Sequence, residues 1–146
     1  MSNQILQLGS VRIHTGSATQ QEAMQEAADL LAAAGAVTPA YFDAMQQREA
    51  TVSTYMGNGL AIPHGTNETK DTILNSGLSL VRYDGGVDWD GEEVHFVMGI
   101  AGRGDEHLEI LGSVAILFSD EDDVARLAAA QTPEELYALV AAVNEQ

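Results

Sequence analysis

The residue best placed to do chemistry in this chain is a histidine that stands between a proline and a glycine. His64 follows a short apolar run in the stretch GNGLAIPHGT, residues 57–66. Pro63 fixes its own φ and restricts the residue before it to extended conformations. Gly65 allows the chain to turn sharply just after the imidazole. We therefore expect this loop to hold the His64 ring at the protein surface with little backbone freedom.

A second histidine, His107, stands at the start of a predicted helix that follows an apolar strand. Turns of this kind often carry reactive groups in α/β proteins, and the N–H groups at a helix N-terminus favour a bound anion. Because His64 and His107 each follow an apolar run, the two loops could emerge on one edge of the sheet. Of the other histidines, His14 is predicted to be an exposed loop residue and His95 a structural residue of the central strand.

Three kinds of chemistry can be weighed for this pair. A zinc site would need a carboxylate as well, and Glu106 or Asp105 is adjacent to His107, but the chain has no closely spaced pair of histidines. A Ser-His-Asp hydrolase would need a nucleophile elbow, and none is present. Nucleophilic catalysis by histidine itself remains, because most imidazole is neutral at pH 7 and free to attack phosphorus.

A phosphoryl group on Nε2 of a histidine would need positively charged or N–H groups around it. It carries about two negative charges, which a second imidazole, an arginine and backbone amides at a turn can stabilise. The chain has only six Lys plus Arg residues, so an arginine near His64 would be significant. His64, His107 and one arginine would supply the set.

Composition narrows the possible functions. The 146 residues fit one domain, residues 1–146, and the net charge of −16 disfavours binding to nucleic acid or to an anionic membrane. The same charge suits docking to a basic protein surface. There are no cysteines, so neither disulfides nor thiolate metal sites form. We see no signal peptide and no apolar stretch long enough for a membrane span, and we expect a cytoplasmic protein.

The predicted elements describe a sheet with helices on it. Residues 94–101 (VHFVMGIA) are apolar on both faces apart from His95, which predicts a central strand. Thr19 and Glu22 form a capping box that begins a helix. The order of elements indicates a mixed sheet flanked by helices, in one α/β layer structure. The remaining predictions are strands over 11–13 and 77–83, a turn at 84–86, a helix beginning at Thr38-Pro39 with Tyr41, Phe42 and Met45 in its buried stripe, a helix over 106–118 with Leu108, Leu111 and Ala115 inward, and helices beginning at Ser119 and Thr132.

Two segments resemble a known family. GNGLAIPHGT resembles the phosphorylation-site segment of the mannitol/fructose-type EIIA domains of the bacterial phosphotransferase system (PTS). GIAGRGDEHLEIL, residues 99–111, resembles the second segment of that family, and its GIA form is similar to the mannitol branch. Gln47-Arg48-Glu49 also matches, and the resemblance extends over roughly residues 5–143. It implies a five-stranded, mixed and largely antiparallel sheet flanked by helices.

The resemblance also implies roles and partners. His64 would accept a phosphoryl group on Nε2 from the carrier HPr and pass it to a cysteine of a mannitol-type EIIB domain. His107 would hydrogen-bond the phosphoryl group, Arg48 would stabilise its charge, and Gly65 and Thr66 would position the loop. No cofactor, metal or direct contact with the sugar is implied. We expect an apolar ring around His64, including Ile62 and Leu60 or Met56, to exclude water.

One departure and three alternatives remain. Asp105 stands where relatives often carry asparagine, and we expect it to point to solvent, because a carboxylate beside the phosphoryl group would disfavour it. A regulatory EIIA-like phosphoprotein that acts by binding other proteins, or a fructose-type EIIA, would carry the same motif. The third alternative, from another class, is a metal-binding or purely structural acidic domain that carries the motif without phosphoryl transfer. The sequence does not identify the sugar.

Overall fold

The core of the fold is a mixed sheet. The computed structural model of the protein describes residues 5–65, 73–103 and 106–141. In this part of the chain five strands form one sheet in the order β1-β4-β5-β3-β2. The strands are β1 (Leu6–His14), β2 (Tyr55–Gly57), β3 (Leu60–Ala61), β4 (Gly77–Trp89) and β5 (Glu92–Ala101).

The sheet contains as many parallel as antiparallel pairings. β1 pairs with β4 and β3 with β5 in parallel, whereas β4 with β5 and β2 with β3 are antiparallel. The expectation of a mixed sheet is confirmed, and the longest pairing, between β4 and β5, is antiparallel. Only the two hairpin-like neighbours in sequence pair antiparallel, since the longer connections return the chain in the same direction.

Helices cover both faces of the sheet. They are α1 (Gln20–Ala33), α2 (Tyr41–Thr51), α3 (Glu106–Leu117), α4 (Glu121–Ala129) and α5 (Pro133–Val140). In the described part of the chain, none of them is long and apolar enough to cross a membrane. Thr19 caps α1 in the predicted capping box with Glu22.

The central position of β5 explains its apolar sequence. Phe96, Met98 and Ile100 are buried in the cluster formed with α3, α4 and α5. Val97 and Ala101 are buried in the other cluster, with α1 and α2. Because side chains alternate across a strand, a strand covered on both faces must be apolar at every position. The prediction of a central strand over 94–101 is therefore confirmed.

The predicted turn at 84–86 is wrong, because β4 continues through it to Trp89. Its pairing with β5 shifts register between Arg82 and Val87 instead. At Gly85, a Cβ would lie 2.6 Å from the backbone carbon of Gly16, and the Gly85 N–H donates to the Gly16 carbonyl at 3.0 Å. Gly85 therefore allows two segments of the chain to approach closely, and β4 accommodates this approach through its irregular pairing with β5.

Two helix predictions also need correction. α2 begins at Tyr41 rather than at Thr38-Pro39, which forms a turn closed by the Tyr41 N–H and the Thr38 carbonyl at 3.0 Å. In α3 the fully buried positions are Ile110 and Val114, whereas Leu108 is 72% exposed. Of the residues predicted to face inward, Leu111 packs partly buried against the core, whereas Leu108 does not. α3 is apolar nearly all round, so its sequence does not distinguish one face from another.

Candidate functional site

His64 lies at the C-terminal end of β3, beside the end of β5. It forms an isolated parallel bridge with Ile100. The Ile100 N–H donates to the Pro63 carbonyl at 3.1 Å, and the Ile62 N–H donates to the Thr54 carbonyl at 3.1 Å. Backbone hydrogen bonds therefore fix the residues on the N-terminal side of the imidazole. The predicted stiff presentation of His64 has this structural basis.

The His64 ring is oriented by its own chain. Nδ1 lies 2.8 Å from the carbonyl oxygen of Ile62. Because a carbonyl only accepts hydrogen bonds, Nδ1 must carry the proton in the neutral ring, and Nε2 carries the lone pair. The residue is only 7% exposed. The ring is therefore largely buried, rather than displayed on the surface, with its lone pair on Nε2.

Tyr41 holds the residue that follows the histidine. Its hydroxyl donates to the Ile100 carbonyl at 2.7 Å and accepts the Gly65 N–H at 2.9 Å. Burial raises the pKa of Tyr41 to about 12, so the hydroxyl stays protonated and can make both bonds. Sequence reasoning assigned Tyr41 only to the buried stripe of its helix. Its polar role depends on a residue 59 positions away and left no signal in the sequence.

His107, near the N-terminus of α3, lies against His64. The centroids of the two rings are 5.2 Å apart, and the ring planes are inclined by 53°. Gly102 permits this placement, since a Cβ there would lie 2.5 Å from the His107 Cα. The structure therefore brings together the two loops of His64 and His107, which the sequence predicted individually without showing that they meet.

Arg48, in the last turn of α2, adds a positive charge to this region. Its guanidinium donates to the Val52 carbonyl at 2.6 Å, which holds the side chain at the end of the helix. Burial lowers the pKa of His107, and the charge of Arg48 lowers it further. All three of the residues selected from the sequence thus act on one another.

Burial also keeps the His64 imidazole neutral. It lowers the pKa of His64 below the ordinary value of 6.5, and the charges of His107 and Arg48 act in the same direction. The hydrogen bond to Ile62 and the charge of Glu49 oppose this shift without cancelling it. A neutral ring with its lone pair on Nε2 is the nucleophilic form of histidine.

Comparisons with known proteins identify the family of this chain. The family described as "Phosphoenolpyruvate-dependent sugar phosphotransferase system, EIIA 2" matches residues 4–143. The chain belongs to this family. As an EIIA domain of the mannitol type, it is a phosphoryl carrier of the PTS, as the resemblance of its two segments predicted.

Individual relatives align with most of this chain. The mannitol-specific enzyme IIA component of Halalkalibacterium halodurans is 46% identical over 145 residues, covering 99% of this chain and 100% of that protein. That of Staphylococcus aureus strain Mu50 is 52% identical over 118 residues, covering 81% and 82%. The Escherichia coli enzyme IIA in complex with phosphorylated mannitol enzyme IIB has a TM-score of 0.84 at 34% identity, covering 93% of this chain and 98% of that one.

Other sequence predictions for this EIIA domain have mixed outcomes. Thr66 and Asp105 lie outside the described residues. His95 is structural, as expected, with Nδ1 3.0 Å from the Tyr83 carbonyl. His14 is not an exposed loop residue: it ends β1, and its Nε2 lies 2.8 Å from a carboxylate oxygen of Glu26.

The predicted apolar ring is only partly where we expected it. Leu60 and Ile62 are buried in the core cluster under α3, so they do not form a rim. Met56 is 47% exposed, and Val52 and Leu108 are more exposed still. Within the described residues, no group of three or more His, Cys, Asp or Glu side chains is placed to hold a metal ion.

Proposed function

We propose that this EIIA domain accepts a phosphoryl group on Nε2 of His64 from phospho-HPr and passes it to a cysteine of a mannitol-type EIIB. The observation that carries the proposal is the hydrogen bond from Nδ1 of His64 to the Ile62 carbonyl, beside the ring of His107. It supports a neutral nucleophile whose reactive nitrogen is defined before the donor arrives.

Each transfer exchanges one bond to phosphorus for another. In the first step the lone pair of His64 Nε2 attacks phosphorus, and the bond to the imidazole nitrogen of the donor breaks. In the second step the thiolate of the acceptor attacks, and the bond to His64 Nε2 breaks. Donor and acceptor are both side chains, so the work of this protein is positioning and stabilisation of charge.

His107 and Arg48 would stabilise the bound phosphoryl group. The two rings, 5.2 Å apart between centroids, border the same space, so a group on His64 Nε2 comes within reach of the His107 ring. Arg48 acts electrostatically on both rings. A hydrogen bond from an imidazole and a nearby positive charge are the groups that a phosphoryl dianion requires.

The partners follow from the relatives and from charge. The Escherichia coli relative binds phosphorylated mannitol enzyme IIB, and the relatives at 46% and 52% identity are mannitol-specific. These relatives favour a transport role in the mannitol branch over a regulatory or fructose-type role. The net charge of −16 would speed encounter with a basic surface of HPr. The exchange with these partners would take place in the cytoplasm.

A phosphotransfer assay tests the proposal. Purified protein is incubated with labelled phosphoenolpyruvate, enzyme I and HPr, and then with mannitol-type or fructose-type EIIB. We expect acid-labile label on this protein, and its transfer to mannitol-type EIIB in preference. Nitrogen-15 NMR of the labelled histidine should place the group on Nε2. Absence of label, or label on Nδ1, would overturn the proposal.

Gly102→Ala is expected to slow the onward transfer by about tenfold or more, because the new Cβ would lie 2.5 Å from the His107 Cα and move that residue. The measurement is the single-turnover rate from the phosphorylated protein to EIIB. The control is Gly112→Ala in α3, where a Cβ meets nothing within 4 Å. This control should transfer normally and gain about 0.5–1 kcal/mol in helix stability. Equal rates in the two variants would contradict the role of Gly102.

The lowered pKa of His64 predicts a pH dependence. As the pH falls below about 6.5, the unfolded chain takes up the His64 proton first, so the folded protein loses stability until the folded pKa is passed. Above that range both states are neutral and the stability is retained. NMR titration of the ring C–H signals should give a lower midpoint in the folded protein than in urea. A folded midpoint at or above the urea value would contradict the prediction.

A further inference from the structure

The carboxylate of Glu49 accepts three hydrogen bonds from two separate parts of the chain. Oε2 accepts the Thr54 N–H at 2.9 Å and the indole Nε1–H of Trp89 at 2.9 Å, and Oε1 accepts the Thr54 hydroxyl at 2.6 Å. Trp89 is fully buried in β4, and Thr54 is 4% exposed. Glu49 itself is half-buried at the end of α2. It therefore ties the segment that follows α2 to the body of the sheet.

A continuous series of hydrogen bonds leads from Glu49 to the reactive ring. The Thr54 carbonyl accepts the Ile62 N–H at 3.1 Å. The Ile62 carbonyl in turn accepts the Nδ1 proton of His64 at 2.8 Å. Any shift of Thr54 is thus transmitted to the carbonyl that determines which ring nitrogen carries the proton.

We infer that Glu49 is a positioning residue for phosphoryl transfer: by holding Thr54 against Trp89, it keeps the Ile62 carbonyl where it binds Nδ1–H and leaves the His64 lone pair on Nε2. This inference rests on the function proposed above. It assigns Glu49 no contact with the phosphoryl group. It explains why a negative charge stands next to Arg48, where it would otherwise oppose the binding of an anion.

The chemistry of the three bonds requires a carboxylate. All three partners are donors, and an ionised carboxylate is an acceptor on both oxygens. A glutamine has one acceptor oxygen, and its amide group meets a donor on the other side. An aspartate keeps the charge but is shorter by one methylene, so it does not span from Thr54 to the indole. The two substitutions therefore separate the effect of charge from that of reach.

The chain supplies a matched control in Glu26. Its carboxylate, like that of Glu49, accepts several hydrogen bonds, here from the side chains of Arg12, His14 and Tyr83. These belong to β1 and β4, and β1 is the edge strand farthest from β3 in the described sheet. Glu26→Gln thus disturbs a hydrogen-bonded carboxylate of the same kind near the other edge of the sheet.

The experiment compares Glu49→Gln, Glu49→Asp and Glu26→Gln with the unsubstituted protein. Nitrogen-15 NMR of the unphosphorylated protein gives the tautomer of His64. Quenching the reaction with phospho-HPr at a series of times gives the rate of phosphoryl transfer to His64. Since the chain has a single tryptophan, its indole N–H signal reports the bond to Glu49 directly. We expect both Glu49 variants to mix the two tautomers and to accept phosphoryl about tenfold more slowly. Glu26→Gln should leave both readouts unchanged.

Each other outcome overturns the inference. A pure Nδ1–H tautomer in Glu49→Gln shows that Ile62 does not depend on Glu49, whatever the rate. Wild-type values in Glu49→Asp show that charge alone is sufficient. If the Glu49 variants do not fold, Thr54→Val, which removes only the hydroxyl, should shift the tautomer in the same direction by a smaller amount, and no shift counts against the inference. Because the tautomer is measured without phosphate, it is independent of whether the proposed transfer occurs.

Discussion

Replacing His64 with alanine is expected to abolish the uptake of acid-labile phosphate from phospho-HPr. The His64 imidazole is neutral and oriented, with its lone pair on Nε2 and the His107 ring beside it, and alanine supplies no atom that can form a bond to phosphorus. The measurement is labelled phosphate retained after gel separation at neutral pH. The loss should be complete rather than partial.

His14→Ala is the control for this variant. His14 is also a histidine with a bonded ring nitrogen, but it lies on β1, the far edge of the described sheet. We expect it to accept phosphoryl at the wild-type level, and circular dichroism should confirm that both variants are folded. Label on a folded His64→Ala protein would show that another residue is phosphorylated and would contradict the proposed mechanism.

Replacing His107 with alanine is expected to slow the onward step by about 10²–10³-fold, the usual cost of one donor to developing charge. The ring lies 5.2 Å from that of His64 between centroids and is the nearest imidazole to the transferring group. The tautomer of His64 is determined by Ile62 and not by His107, so the variant keeps its nucleophile. Since phosphoenolpyruvate regenerates the donor continually, label should still accumulate.

The onward rate is measured by mixing isolated phosphorylated protein with EIIB in a single turnover. His107→Gln is the matched variant, because its amide keeps an N–H donor and should recover part of the rate. A wild-type onward rate in His107→Ala would remove this residue from the site. A variant that accepts no label at all would mean that His107 is required earlier than we propose.

Much of the fold follows from local sequence patterns. The apolar run over 94–101 predicts a strand buried on both faces, and β5 is such a strand. The Thr19 capping box marks the start of α1 correctly. The errors occur where one sequence pattern is compatible with two different structures. Gly85 fits both a turn and a close approach, and the surroundings of α3 decide that Leu108 faces outward.

The site was found from the sequence only in part. Pro63 and Gly65 are neighbours of His64, so their restriction of the loop is visible in the sequence itself. The contributions of Tyr41 and Glu49 are not visible, because each acts through partners that are distant along the chain, such as Ile100 and Trp89. Nothing about a tyrosine in an apolar stripe indicates where its hydroxyl will bond.

The sequence by itself determined the class of fold and the family, and it selected His64 as the candidate reactive residue, because these depend on hydrophobic pattern, motif and local backbone restriction. Only the tertiary structure decided that His107 and the charge of Arg48 act at the same place as His64. It also decided which nitrogen of His64 keeps its lone pair, through a carbonyl held by the sheet. The physical reason is that hydrogen bonds and Coulomb forces act over a few ångströms of space, and folding alone determines which distant residues come that close.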